Sequence, residues 1–541
     1  MKKLLFYFAF GAGIFAASAQ QVWYVKKNGT GNQSGTSWQN AMPSIQMAIN
    51  RCIRGNQIWV AQGIYKENLL INLPNQEGIE LYGGFMGNET KIEQRAWRAR
   101  PTIIDAGGID QCIDIINVSG CRVDGFTLQR GVRQYPGHLG FAPASGITVY
   151  GCSVPCMGAT PISNTVLKNL IIKGNTGTFG GGIHLQYTKN TLIQNVEVSG
   201  NNADEGAGIW ISGYSEAKLV NVLIYGNWST KGGGMFVEAS NPTLVNVTIA
   251  NNNLFCDVDR NKYFGKGIYS CNSILTLQNS IVDEGITIEV LQGFPSNQFP
   301  QDITAYNSLI QEVYVSHMYT SYGQNNCTYY PTYNFYNCMV GNVDFEAVIN
   351  PPLPPICLFV YPNVTRSNCT GYSNPQFVNP TASSYRLRAS SPCIDAGSQS
   401  FVNLYTKIDL DGMYRVAGQE VDMGAYEYGS TSAPPDIVNQ KSLNGNNENN
   451  PLETTGKLEL TVIPNPTNGS QTTVHLKDGS TFYENPVVVK VYAMDGRLVY
   501  SHGFSYGNIK ADFSALAQGM YVLKLQTHDG ENYKHKLFIS K

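Results

Sequence analysis

The chain has 541 residues, only 14% of them charged, and a formal net charge of -2 at pH 7. This balance excludes the basic surface that nucleic-acid binding requires, so no nucleic-acid partner is predicted. With 55 glycines and 32 tyrosines, the composition is typical of a large exported β protein whose surface is polar rather than ionic.

The first 19 residues have the pattern of an export signal. Lys2 and Lys3 precede an apolar run from Leu4 to Ala17, and small residues at 17–19 form a cleavage site before Gln20. Loss of the two lysines changes the net charge from -2 to -4. No later segment has the ~18 to 20 continuous apolar residues of a membrane helix. The mature chain is therefore predicted to carry no transmembrane segment.

Residues 20–373 are predicted to form the main body, which begins with an N-terminal cap. A helix is expected over residues 36–52, because apolar residues recur there on one helical face and can cover an open apolar end. These residues are Ile45, Met47, Ala48, Ile49 and Cys52. Strand-forming runs at 57–71 and 78–85 are predicted to be the first coils.

Between residues 163 and 285 the sequence repeats itself at a nearly fixed step. Four segments of the type LVNVLIYGN align, and their central asparagines are separated by 26, 26 and 25 residues. Each is followed by a glycine-rich corner and another short alternating strand. The asparagines are Asn169, Asn195, Asn221 and Asn246. Such a period predicts a solenoid, in which each unit buries its apolar side against its neighbours.

The strand pattern indicates which solenoid this is. Runs of three to five β-formers bounded by Gly and Asn are too short for helices, and coils of such strands stack ~4.8 Å apart as a parallel β-helix. The pattern resembles pectin-lyase-like proteins, and the resemblance implies a right-handed coil. The asparagine column is interpreted as a structural ladder of side-chain amides that bond from coil to coil.

One column of the repeat is a candidate ligand-binding surface. In the strands after the glycines, the residues between the inward aliphatics face outward. They are His184, Trp210, Phe236 and Tyr269. Stacked ~4.8 Å apart, they form a strip roughly 14 Å long that suits the flat faces of sugar rings. The alternative is that the rings pack on one another or under a loop and stabilise the coil.

Catalysis is the alternative to binding, because pectin-lyase-like folds often act on acidic polysaccharides. The NTD, DD, GHG and RIK elements of polygalacturonase-like hydrolases are absent, and the repeats hold no DxxxD-like pair for calcium-assisted elimination. No catalytic residue is assigned. The sequence favours a glycan-binding or adhesin-like surface protein over a divergent polysaccharide lyase or glycoside hydrolase.

Twelve cysteines, all between positions 52 and 393, fit an oxidising compartment and predict disulfides. Their spacings make no convincing zinc site, because no histidine pair accompanies them, and no metal is predicted. Three local pairs are plausible, although the sequence leaves the connectivity open. They are Cys112 with Cys121, Cys152 with Cys156, and Cys256 with Cys271.

Residues 374–428 include NPQFVNPTASSYRLRASSPCIDAGS and VDMGAYEYG, which resemble the closing module that follows β-helix repeats in many surface proteins. Within it, the run from Asp409 through Leu410 and Asp411 to Gly412 offers carboxylates to calcium. Asp and Gly are also turn residues, and the full EF-hand pattern is missing, so a turn is favoured over calcium. No cofactor is predicted.

Residues 429–457 are rich in Asn, Pro, Ser and Gly and are predicted to be a flexible linker. Residues 458–541 then contain three blocks of alternating strands, which predict a small antiparallel β-sandwich. The blocks resemble the C-terminal sorting domain of type IX secretion substrates of Bacteroidetes. The matching residues are Pro464, Asn465, Pro466, Gly469, Asp495, Gly496, Gly519 and Tyr521.

The resemblance implies that the type IX machinery carries the protein across the outer membrane. It further implies release or fixation to surface lipopolysaccharide. The sequence therefore predicts an all-β, surface-directed protein: a right-handed parallel β-helix, a linker and a β-sandwich.

Overall fold

The computed structural model describes most of the chain, with gaps. The described residues are 21–132, 145–151, 162–255, 264–291, 301–318, 332–348, 363–402 and 406–431, then 460–463, 472–476, 487–493, 498–504, 509–514, 516–526 and 532–539. The predicted signal peptide at 1–19 and nearly all of the predicted linker at 429–457 lie outside them.

The main body is a stack of coils whose strands pair in parallel with the coils above and below. In one coil, strands Thr191–Ser199, Asn202–Glu205 and Ile209–Ser212 follow one another before the next coil begins at Ala217. Every strand of this coil pairs in register with its counterpart 26 residues later, as Ile193 does with Leu219. The prediction of a parallel β-helix is therefore confirmed.

The coils build three stacked sheets. Sheet A has two strips that meet at a corner, and three long strands cross that corner. Its first strip comprises Val22–Val25, Gln57–Ala61, Glu80–Phe85, Arg122–Asp124, Val166–Lys173, Thr191–Ser199, Ala217–Tyr225, Thr243–Val245, Leu275–Gln278, Ile303–Tyr306, Thr332–Tyr336 and Asn363–Ser367. Its second strip adds Gly63–Tyr65, Thr102–Asp105, Phe126–Gln129, Thr248–Ala250, Ile281–Val282, Leu309–Ile310 and Met339–Val340.

Sheets B and C complete each coil. Sheet B comprises Leu69–Ile71, Ile113–Ile116, Ile147–Tyr150, Ile183–Gln186, Ile209–Ser212, Met235–Glu238, Ile268–Cys271, Ile286–Leu291, Val313–Met318 and Val343–Val348. Sheet C comprises Thr176–Phe179, Asn202–Glu205, Trp228–Ser229 and Asn253–Leu254. One further parallel pair joins Ile162–Ser163 to Thr188–Lys189.

The core lies inside the coil and consists of stacked aliphatic side chains. Alternation along each strand sends every second residue inward, so that Val196 and Val198 stack on Val222 and Ile224 with no exposed surface. Burial of apolar surface at about 25 cal/mol per Å² is the main force that holds such a coil together.

The predicted N-terminal helix is much shorter than expected. It spans only Ile45–Ile49, where Ser44 caps it and Ile45, Ala48 and Ile49 enter the core. Met47, expected on the same face, is exposed instead. Among the described residues, single 3₁₀ turns lie at Pro74–Gln76, Ile92–Gln94, Pro380–Ala382 and Gln399–Phe401.

Residues 374–431 do not extend the stack of coils but run back along its side. The segment begins with an antiparallel pair, Phe377–Asn379 with Ser384–Leu387, and then packs on the outer face of the second strip of sheet A. The Arg415 side chain, fully buried, donates to Asn221 Oδ1 at 2.7 Å, 194 residues earlier in the chain. Thr248 Oγ1 accepts from the backbone N–H of Ala425 at 2.9 Å. These bonds fix the segment, named here the lateral module, to the solenoid.

The C-terminal part forms two antiparallel sheets. One contains Leu460–Ile463, Thr472–Leu476 and Ile509–Ala511, and the other contains Leu498–Phe504, Val487–Ala493, Gly519–Gln526 and Asn532–Ile539. The pairing of Val487–Ala493 with Leu498–Phe504 agrees with the hairpin that the sequence predicts around Asp495 and Gly496. Among the described residues, no helix has the length and apolarity needed to span a membrane.

Candidate functional site

The predicted aromatic column forms on sheet B in the expected register. His184 is paired with Trp210, Trp210 with Phe236, and Phe236 with Tyr269. Ring centroids lie 4.4 Å apart for His184 and Trp210 and 5.0 Å apart for Phe236 and Tyr269. The four side chains face away from the aliphatic core, and Trp210, Phe236 and Tyr269 form a separate cluster with Cys271.

The expectation that this column is exposed is wrong. His184 is 1% exposed and Trp210 is 7% exposed, so neither ring offers a face to a ligand. The corner that precedes each strand lies over the column: a Cβ placed on Gly206 would lie 2.9 Å from that of Trp210. Phe179, from the same side, stacks on Trp210 at 4.5 Å. The rings pack under their own coil, which was the alternative interpretation of this column.

Burial leaves polar atoms of this column without partners. Neither ring nitrogen of His184, nor Nε1 of Trp210, has a hydrogen-bond partner among the described residues. Desolvation lowers the pKa of His184 to about 3, so the imidazole is neutral at physiological pH. An uncharged imidazole stacked on indole behaves as one more aromatic core group.

The asparagine column lies at the corner between the two strips of sheet A. Each of its residues has a positive φ, near 53° for Asn169 and 54° for Asn195, a conformation that Asn tolerates better than most side chains. Asn195 donates to Asn169 at 3.3 Å and Asn221 to Asn195 at 3.0 Å. Asn246 leaves the ladder and donates to the carbonyl of Asp422 in the lateral module.

A second asparagine ladder runs along the corner between sheets A and C. The bonds join Asn175 to Asn201, Asn201 to Asn227 and Asn227 to Asn252 at 2.9–3.0 Å. In the next coil a carboxylate takes the asparagine position, and Glu284 Oε2 accepts from Asn252. The asparagine that ends each repeat segment, as in LVNVLIYGN, is the sequence signal for this ladder, and it was not among the predicted site residues.

A groove runs beside this second ladder, under the start of the lateral module. It consists of two adjoining cavities of about 670 and 560 Å³ that share Asn251 and Pro380. Its solenoid wall extends from Gln129 to Glu312 and its outer wall from Asn374 to Arg388. Because these coils are successive, the groove is parallel to the solenoid axis.

Charged residues concentrate at the end of the groove nearest the C terminus of the solenoid. Glu284 lies 3.3 Å from Lys266 Nζ, and its carboxylate is almost completely buried. Burial raises the pKa of Glu284 to about 7, although Lys266 opposes this shift. Desolvation also raises the pKa of the neighbouring Asp283, whose Oδ1 accepts from Tyr372 at 2.6 Å. This end of the groove thus holds carboxyl groups that keep their proton to a higher pH than exposed ones do.

An exposed aromatic pair lies on sheet C, two residues beyond the groove wall at Gly226. Trp228 is 43% exposed and Phe255 is 58% exposed, and their ring centroids are 6.1 Å apart with a 31° tilt. Both residues belong to successive coils, since Trp228 is paired with Asn253. The pair was not among the predicted site residues, because each ring belongs to a strand of only two residues or the turn after it.

Other predicted site residues are described only in part. In the sorting domain, Gly519 opens a strand and Tyr521 is buried, with its hydroxyl donating to Ala517 O at 2.8 Å. The remaining predicted motif residues, Pro464, Asn465, Pro466, Gly469, Asp495 and Gly496, lie outside the described residues.

The candidate calcium run forms a hydrogen-bonded turn. Asp409 Oδ1 accepts from the backbone N–H groups of Asp411 and Met413, and Asp411 pairs with Arg386. In the described part of the chain, no group of three or more His, Cys, Asp or Glu side chains has the arrangement of a metal site.

The described cysteines are free thiols, and the predicted pairing of Cys112 with Cys121 is wrong because the two thiols lie at different corners of the coil. The thiol of Cys112 contacts Gln129 O at the start of a sheet B strand, whereas that of Cys121 lies by Gln76 at another corner. Cys271 is also free, and its expected partner Cys256 lies outside the described residues, as do Cys152 and Cys156. The free thiols are Cys52, Cys112, Cys121, Cys271, Cys338, Cys369 and Cys393.

Two family models match the chain. One, described as "Right handed beta helix region", matches residues 111–328, and the other, "Secretion system C-terminal sorting domain", matches residues 461–540. No protein with a curated description matches.

Solved structures similar to the chain include pectate lyase Pel9A, at 14% identity and a TM-score of 0.43, covering 76% of this chain and 97% of that one. Another is the GH136 lacto-N-biosidase of Eubacterium ramulus, at 10% identity and a TM-score of 0.33, covering 61% of this chain and 68% of that one.

The sorting domain indicates export by type IX secretion to the cell surface or the extracellular space. The parallel coils and the two matched regions identify the chain as a right-handed β-helix protein with a C-terminal sorting domain of type IX secretion.

Proposed function

We propose that the exported protein binds a polysaccharide along the groove between the solenoid and the lateral module, with Trp228 and Phe255 as its stacking surface. The observation that carries the proposal is the exposure of this aromatic pair, in which Trp228 follows the lining residue Gly226 by two positions. Large exposed aromatic faces cost solvation, and sugar rings cover such faces with their C–H groups while keeping their hydroxyls free for hydrogen bonds.

The dimensions of the groove fit an extended chain. The second strip of sheet A contributes seven successive coils to its wall, from Gln129 to Gln311. Six spacings of ~4.8 Å give a length of roughly 29 Å, which accommodates several sugar rings in line. A straight, axis-parallel groove therefore supports recognition of a polymer rather than of a single sugar.

The lining chemistry favours a neutral glycan. Amide groups of Asn251, Gln311 and Gln376 offer donors and acceptors to hydroxyls. The charged residues of the lining carry both signs and nearly cancel, so the groove lacks the one-sign field that a polyuronate would need. They are Arg130, Lys173, Lys266, Arg388, Asp283, Glu284 and Glu312.

Binding to a panel of neutral and uronate-containing polysaccharides tests this proposal. We expect retention of a neutral glycan by the secreted protein and a roughly tenfold weaker Kd after Trp228→Ala, equivalent to about 1.4 kcal/mol. Tyr214→Ala is the matched control, because Tyr214 is 54% exposed, at least as much as Trp228, but is not part of the groove lining. Equal weakening by both variants, or no binding to any glycan, would refute the proposal.

Cleavage of the bound glycan is the second candidate function, favoured by Glu284. A buried carboxyl group with a pKa of about 7 is suited to general acid or base catalysis, and this one lines the groove beside Asp283. The protein would then be a divergent glycoside hydrolase or polysaccharide lyase. Release of reducing or unsaturated ends that Glu284→Gln abolishes, with binding retained, would establish this activity. Retention without turnover leaves the adhesin-like role.

The fate of the exported protein also belongs to this proposal. After transport, the mature chain is either fixed to surface lipopolysaccharide or released. Cell fractionation with detection of residues 20–431 distinguishes the two, since a fixed protein sediments with the outer membrane and a released one stays in the medium.

A further inference from the structure

The last two described coils carry thiols at one structural position. This position follows the positive-φ asparagine of each coil and faces the interior. Its occupants, in chain order, are Leu170, Val196, Val222, Val247, Ser280, Ser308, Cys338 and Cys369. Along the stack, this position thus changes from aliphatic residues to two serines and then to two successive cysteines. The serine hydroxyls bond between coils: Ser308 Oγ accepts from Ser280 N–H at 3.1 Å.

The backbone holds the two cysteines directly above one another. Thr370 N–H donates to Cys338 O at 3.0 Å and Asn337 N–H donates to Ser367 O at 2.9 Å, which fixes the register of the two coils. Coil spacing places the two Cα atoms ~4.8 Å apart, within the 4.4–6.8 Å range that disulfides span.

The thiols point the same way. Sγ of Cys338 lies 3.4 Å from Ala305 O, and Sγ of Cys369 lies 3.2 Å from Phe335 O, so each is directed toward the preceding coil. The Cys369 thiol is therefore directed toward the coil that carries Cys338.

We propose that the exported protein is oxidised at this position to a Cys338–Cys369 disulfide. The two thiols lose two protons and two electrons as the S–S bond forms, and a protein disulfide of the export compartment accepts them and becomes a dithiol. Transit through the type IX route takes the chain out of the reducing cytoplasm, where such a bond does not persist.

The position explains why a covalent bond is useful here. The strand Asn363–Ser367 is exposed along its whole length and, among the described strands, is paired only with Thr332–Tyr336. A terminal coil with so little buried surface frays easily. A disulfide closes the chain between the last two coils and stabilises them by constraining the unfolded state.

The same bond would steady the wall of the groove. Cys369 lies three residues before Tyr372, whose hydroxyl bonds Asp283, and five before Asn374, which lines the groove. Burial raises the pKa of the Cys338 thiol to about 12, whereas Cys369 is only half-buried at the end of the coil. Cys369 is therefore the thiol that meets the oxidant, and Cys338 completes the bond as the last coil docks.

Peptide mass spectrometry of the full-length protein, collected after secretion and alkylated in denaturant without reductant, tests the proposal. We expect one species in which the peptides of Cys338 and Cys369 are joined, and which reductant separates. Cys393, buried in the lateral module, should be alkylated as a free thiol and serves as the control. Alkylation of both Cys338 and Cys369, or linkage of either to another cysteine, would overturn it.

A variant measures the effect of the bond. Cys369→Ser should fold, because Ser280 and Ser308 occupy the same position in earlier coils. We expect it to lack the joined species and to melt at a lower Tm than the unreduced wild type, and dithiothreitol should bring the wild type down to the Tm of the variant. An unreduced wild type no more stable than the variant would contradict the stabilising role.

Discussion

Two groups of aromatic side chains follow the coil repeat, and they differ in exposure. On sheet B, His184, Trp210, Phe236 and Tyr269 are at most 7% exposed, whereas on sheet C Trp228 and Phe255 are 43% and 58% exposed. Register alone stacks aromatic rings in columns. The corner before the strand decides their role: glycines at 206 and 232 let the backbone lie over the first group. A stacked column therefore indicates a binding surface only where no corner covers it.

Titration separates the same two regions. The buried column contains His184, whose pKa falls to about 3, and the groove beside the exposed pair contains Glu284, whose pKa rises to about 7. Both shifts come chiefly from desolvation, which disfavours the charged form of either group. Acid is therefore expected to lower the free energy of unfolding through His184, and base is expected to lower it through Glu284. The pH dependence of stability thus distinguishes the two regions.

Trp210→Ala should have the largest effect, because it empties a packed site between Phe179, His184 and Phe236. Truncation of a buried tryptophan to alanine costs about 3–5 kcal/mol. Chemical denaturation of the secreted protein measures the loss, and glycan affinity of the folded fraction should be unchanged. A loss below about 1 kcal/mol would mean that the column is not a packed part of the fold.

His184→Phe tests the acid side of the comparison and keeps the aromatic stack. The folded pKa of His184, about 3, lies below its ordinary value of 6.5, so its contribution is present above pH 6.5 and is lost as pH falls. Between pH 6.5 and pH 4 the wild type should lose about 3 kcal/mol relative to the variant. Parallel stability curves for the two proteins over this range would show that His184 is solvated rather than buried.

Glu284→Gln tests the loss of stability that is expected at higher pH. The folded pKa of about 7 exceeds the ordinary 4.5, so the protonated acid stabilises the fold at low pH and this stabilisation is lost as pH rises through 7. Relative to the variant, whose amide can still accept from Asn252, the wild type should lose up to about 3 kcal/mol between pH 4.5 and pH 8. The Lys266 ion pair forms only with the ionised carboxylate, so its effect is already contained in the folded pKa. A difference that does not vary with pH would place the carboxylate in contact with water.

The sequence predicted those features that depend on neighbouring coils. The period of the central asparagines gave the parallel stack, and alternation within a strand placed Ile183 inward and His184 outward. It did not predict burial of His184, because the cover comes from corner geometry that alternation does not describe. Nor did it indicate the groove, whose outer wall depends on a contact between Arg415 and Asn221 across 194 residues. Local patterns specify the coil, whereas long-range docking specifies the site.

Trp228→Ala should have the smallest effect on stability and completes the comparison. Its ring is half in solvent and contacts mainly Phe255, so truncation should change the free energy of unfolding by no more than about 0.5 kcal/mol. The same substitution is the one expected to weaken glycan binding, which is the inverse of the result expected for Trp210→Ala. Denaturation and binding measured on both variants therefore distinguish the buried column, which stabilises the fold, from the exposed pair, which is proposed to bind the glycan. If Trp228→Ala destabilised the fold as strongly as Trp210→Ala, the difference in exposure would not explain the different roles of the buried column and the exposed pair.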